Sequence, residues 1–89
     1  MTIEFDRDKN IANVAKHGVD MAAAAEFDFE TAETWTDTRQ SYGEIRTVAI
    51  GFIGHRLHVL VFTMRGRKLR VISLRKANRK ERDTYYGKK

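Results

Sequence analysis

The uninterrupted apolar run Val59-Leu60-Val61-Phe62 constrains this chain more than any other feature. A strand with one wet face alternates apolar and polar residues, so a run without alternation reads as a strand covered on both faces and therefore central in a sheet. The run lies in the second of three β-rich segments, Ile45 to Ile53, Leu57 to Met64 and Leu69 to Leu74. Gly54-His55-Arg56 and Arg65-Gly66-Arg67-Lys68 join them as tight turns, which predicts an antiparallel meander. Thr34-Trp35-Thr36 reads as one more short strand, and Thr2 to Phe5 as another with Ile3 and Phe5 on one face. The polar segment from Asp37 to Gly43 is turn-forming.

Helices occupy what remains. Asp6 has the position of an N-cap, Asp8 suits the positive end of the helix dipole, and Gly18 ends the helix after Lys16 and His17. Ile11, Val14 and Ala15 recur at helical spacing, so this side is expected to face the core, with Asn10, Asn13 and Lys16 outward. A second helix is expected from Asp20 through the four alanines toward Phe27 and Phe29. A third, basic helix is expected over Lys76 to Tyr86, with Arg79 and Asp83 spaced to pair. The order is β-α-α-β-β-β-β-α: an α+β fold in which two N-terminal helices pack on a mainly antiparallel sheet. With 89 residues and no linker composition, residues 1–89 form a single domain.

The chain has no cysteine, which excludes disulfides and thiolate metal sites and suits a reducing, cytoplasmic setting. No apolar run approaches the roughly 18 residues of a membrane span. Neither glycine-bearing turn has the spacing of a dinucleotide or P-loop, and the three histidines do not form a metal set, so no cofactor and no metal are expected. The net charge of +5 is unevenly placed: residues 1–44 hold 4 Lys and Arg against 10 Asp and Glu, net −6, whereas residues 45–89 hold 13 against 2, net +11. The basic half calls for a polyanionic partner and the acidic half for a different one.

Metal-free cleavage of RNA needs an acceptor for the 2′-hydroxyl proton, positive charge on the phosphorane and a proton for the leaving 5′-oxygen. Arg46, Arg65, Arg70 and Arg75 stand at strand ends, the last two around Ser73, and Arg65 and Arg70 flank one turn. They read as a phosphate cradle or as solvated charges that blunt a sheet edge. Glu44 and Arg46 share a strand face, as a surface ion pair or as a base beside a catalytic arginine. His17 reads as a capping residue or as an acid or base. Tyr85 and Tyr86 stack on a base, donate a proton or dock the last helix. Trp35, the sole tryptophan, reads as core or interface.

Taken in order, Phe5-Asp6-x-x-Lys9-x-x-x-Asn13, Lys16-His17-Gly18-Val19, Gly43-Glu44-x-Arg46 with Gly51, Thr63-x-Arg65 and Arg70-x-Ile72-Ser73-x-Arg75-Lys76-Ala77-x-x-x-Glu81-Arg82-x-x-Tyr85 resemble the BrnT toxins of type II toxin–antitoxin systems. The family usually has tryptophan at the Phe5 position and a small residue at the Leu74 position. The resemblance implies a RelE-like fold and a ribonuclease that arrests translation. It also implies neutralisation by a BrnA-like antitoxin in a complex of two toxins and two antitoxins, with DNA contacted through the antitoxin. Its candidate catalytic residues are His17, Glu44, Arg46, Arg65, Arg70, Ser73, Arg75 and Tyr85. Lys16, Arg67, Lys68, Lys76 and Arg82 are expected to hold RNA. The alternatives are a basic nucleic-acid-binding module without catalysis, and an interaction subunit whose acidic half is the working surface.

Overall fold

A computed structural model describes residues 2–87. Five strands form one sheet: β1 (Thr2–Glu4), β2 (Glu33–Thr36), β3 (Thr47–Ile53), β4 (Arg56–Arg65) and β5 (Lys68–Lys76), in the spatial order β1-β5-β4-β3-β2. Strands β2 to β5 are antiparallel neighbours, and β1 runs parallel to β5. The run Val59 to Phe62 therefore lies on the central strand, and Leu60 is fully buried. Its side chains alternate between two cores. Leu60 and Phe62 join Ala49, Leu69, Val71 and Leu74 on one face, while Leu57, Val59 and Val61 join Val48 and Ile50 on the other.

Two helices flank the sheet, α1 (Arg7–His17) and α2 (Arg79–Gly87). The caps of α1 are as the sequence predicts: the Asp6 side chain accepts from the Lys9 N–H, and Gly18 takes a left-handed φ of 70° while its N–H bonds Val14. The expected second helix does not form. Met21–Glu26 is a short 3-10 helix capped by Asp20, so one α-helix, not two, lies between β1 and β2. The chain must leave it in extended form because Asp28 donates to the Phe52 carbonyl and Phe27 enters the core. Phe27 fits there because residue 51 is glycine; a Cβ on Gly51 would stand 2.6 Å from the Phe27 ring.

The orientation of α1 also reverses the periodicity. Asn13 is its buried residue, whereas Ile11 is 57% and Val14 42% exposed. The cause is the shortness of β1, which pairs with β5 only from Lys68 to Arg70. Beyond Arg70 the backbone of β5 would be an open edge, and buried amide groups left unpaired are costly. The Asn13 carboxamide takes the place of the missing strand, donating to the Leu74 and Val19 carbonyls and accepting from the Leu74 N–H.

The face opposite α1 is closed at one end by α2. Tyr85 is buried there against Phe52, and its hydroxyl donates to the Thr31 carbonyl at 3.0 Å. A reciprocal capping box between Asn78 and Glu81 starts the helix. The ion pair that ties α2 down runs from Glu81 to Arg75 of β5, not along the helix from Arg79 to Asp83.

Candidate active site

A bulge in β5 decides which arginines meet. Val61 faces Ser73 and Phe62 faces Val71, so Ile72 is an extra residue in the ladder. Without it Arg70 and Arg75, five apart, would point to opposite faces. With it Arg70, Ser73 and Arg75 stand opposite Thr63, Val61 and Val59, all on the face that α2 partly covers.

At the Gly66-Arg67 turn this face is polar and open, and its residues form cross-strand rows about 7 Å apart along the strands. One row carries Thr63, Arg70 and Glu4, and the next Arg65 and Lys68; Glu44 and Arg46, just before β3, lie against them. The Thr63 hydroxyl donates to the Ile45 carbonyl at 2.7 Å, fixing the backbone between Glu44 and Arg46. Glu44 accepts from Arg46 Nε at 3.1 Å and lies 3.6 Å from Arg65. Glu4 accepts from Arg70 at 3.1 Å and lies 3.9 Å from Lys68. Two carboxylates thus hold four cations on one patch of sheet, with Arg67 exposed in the adjoining turn.

The loop after β2 braces this patch. Asp37, buried, accepts two guanidinium bonds from Arg39, a backbone bond from Arg39 and the Tyr42 hydroxyl. These donors, the Arg39 side chain above all, hold its carboxyl well below the usual carboxylate range. Tyr42 in turn lies under the Arg46 guanidinium, 4.0 Å from ring centroid to Cζ. Sequence reasoning missed Glu4, Asp37 and Tyr42. Alternation in β1, with Ile3 inward, was the available signal for Glu4, and an Asp two residues before Arg39 was that for the turn.

Other expected site residues lie apart from the patch. Tyr85 packs at the opposite end of the face, its hydroxyl engaged by Thr31. Arg75 makes a bidentate pair with Glu81, both bonds 2.7 Å, which raises the arginine pKa and lowers that of the carboxyl. Ser73 is half-buried between Arg70 and Arg75. His17 and Lys16 end α1 beside the other core; partial burial, then Lys16 and Arg75, push the imidazole pKa down. Lys76 is at the far end of β5, and Arg82 is exposed on α2. Among the described residues, no three histidine or acidic side chains gather as a metal site would require, and no helix is long and apolar enough to cross a membrane.

No curated protein matches the sequence. A family model described as the ribonuclease toxin BrnT of type II toxin–antitoxin systems matches residues 5–81, which takes in Glu44, Arg46, Arg65, Arg70 and the Arg75–Glu81 pair. The four cations of the patch and Glu44 thus stand within a match that spans most of the chain, with Glu4 just before it, and the chain belongs to the BrnT family of ribonuclease toxins.

Proposed function

We propose that this toxin cleaves RNA without a metal ion at the patch formed by Glu44, Arg46, Arg65 and Arg70, and so arrests translation. The observation that supports it is the placement of Glu44 between two guanidiniums, 3.1 Å from Arg46 and 3.6 Å from Arg65, with Arg70 one row away. A scissile phosphate bound here meets Arg46, Arg65 and Arg70, whose charge stabilises the phosphorane. Guanidiniums do not give up protons near neutrality, so they supply charge and hydrogen bonds. Of the two carboxylates in the patch, Glu44 takes the 2′-hydroxyl proton, and its two arginine partners orient it. The 5′-oxygen leaves against the same positive field and is protonated from water. Attack by the 2′-oxygen leaves a 2′,3′-cyclic phosphate and a free 5′-hydroxyl. Lys68 and Arg67 extend the cationic surface along the strand of RNA.

The neutralising partner in this reading is a BrnA-like antitoxin, two with two toxins, and DNA is met through it. Ile11 and Val14, exposed one turn apart on α1, are the kind of surface a partner covers. Induced expression with and without the neighbouring reading frame tests the proposal. Growth arrest, RNA fragments with 5′-hydroxyl ends and rescue by the neighbour are expected, as is loss of arrest in folded Arg65→Ala and Arg70→Ala. Retention of RNA with no cut ends would instead mark a binding module.

A further inference from the structure

One row from the basic patch, the same face holds a groove of about 220 Å³ that the cleavage chemistry does not use. Val48, Val59 and Val61 line it, and Trp35 stands over it, 41% exposed. A large aromatic left this exposed beside an apolar floor, while α2 covers the neighbouring part of the face, is a surface awaiting a flat apolar ligand.

The geometry points to a nucleobase pocket, in which Trp35 stacks on one base of the RNA whose phosphate sits on Arg46, Arg65 and Arg70; this rests on the ribonuclease reading above. Register sets the distance. Trp35 faces Val48, Val48 faces Val61 and Val61 faces Ser73, so the tryptophan shares a row with Ser73. The row of Thr63 and Arg70 is the next one, about 7 Å along the strands. Arg70 lies three strands from Trp35, at about 4.8 Å each. Arg46 instead enters β3, the strand beside Trp35, so it is Arg46 that brings the phosphate within a nucleotide's reach of the tryptophan. The rim argues for a neutral base and against a second phosphate. Its charges are already neutralised in two bidentate pairs, Arg39 with Asp37 and Arg75 with Glu81. Such pairs leave the rim rigid, polar and without surplus positive charge.

Trp35 is the only tryptophan, so emission excited at wavelengths that the three tyrosines do not absorb reports this groove. The test titrates the full chain, at low salt, with end-labelled 2′-O-methyl oligonucleotides, which lack the attacking hydroxyl, and with the same backbone carrying abasic residues. Anisotropy of the label reads binding, and tryptophan emission reads stacking. Base-bearing strands are expected to quench Trp35, and the abasic strand to bind more weakly without quenching. Trp35→Ala is expected to weaken base-bearing strands about tenfold while leaving the abasic strand unchanged, and Trp35→Phe to retain most of the affinity. Tight binding with unchanged emission, equal in Trp35→Ala, overturns the pocket and leaves the ribonuclease reading standing. A wild-type chain that neither binds these strands nor cuts RNA overturns both.

Discussion

The two ends of one sheet face behave oppositely although the same three strands build both. Near Gly54-His55 the face carries Phe52 and Leu57 and is sealed by Tyr85 of α2. Near Gly66-Arg67 it carries Arg46, Arg65, Lys68 and Arg70, held by Glu4 and Glu44 and left open. Burial of apolar area stabilises the first end, whereas half-exposed ion pairs contribute little to the second. Stability and chemistry are therefore separated along the strands, and substitutions should separate them too.

The comparison breaks most severely at Tyr85. Tyr85→Ala removes a buried ring and should cost about 3–5 kcal/mol of stability, read as a lowered denaturant midpoint. At the open end, Arg65→Ala or Arg70→Ala should slow RNA cleavage by about 10²- to 10³-fold with a nearly unchanged midpoint. Equal damage to stability and cleavage at both ends would abolish the distinction. Asn13→Ala leaves the Leu74 N–H and carbonyl unpaired at the edge of β5 and should cost about 2–3 kcal/mol. Tyr85→Phe sharpens the contrast: a loss of about 1 kcal/mol for the Thr31 bond, and unaltered cleavage, because the hydroxyl lies away from the patch.

The Asp37 brace stabilises its loop at neutral pH and ceases to do so on acidification. Its carboxyl pKa is depressed in the fold, so its contribution is complete above the unfolded value, about 3.9, and is lost as pH falls further toward the folded value. Asp37→Asn should flatten the acid limb of a stability profile below about pH 4. An unchanged acid limb would show that Arg39 and Tyr42 hold the loop without it.

Much of the fold is legible in the sequence because it rests on local rules. The turns at Gly54 and Gly66, the caps at Asp6 and Gly18 and the central run of β4 each depend on neighbours a few residues away. The candidate site is only partly legible. Arg65 and Arg70 can be paired across their turn, but the charge division between the halves does not survive folding. Glu4 and Glu44, from the acidic half, sit within the basic patch, while Asp6, Asp20, Asp28 and Asp37 are taken up by caps and turns. These six carboxylates act as local braces, while Asp8, Glu26 and Glu30 stay exposed.

What the sequence determined by itself is the meander, its central strand and the two ends of α1, since periodicity and capping act over a few residues. Only the tertiary structure decided that α1 turns Asn13 inward, that Ile72 is bulged and that Glu4 meets Arg70. Asn13 and Leu74 are 61 residues apart, and Glu4 and Arg70 are 66 apart. No local pattern encodes which backbone edge a three-residue strand leaves open, and it is that open edge, with its unpaired amide and carbonyl, that sets the face α1 presents.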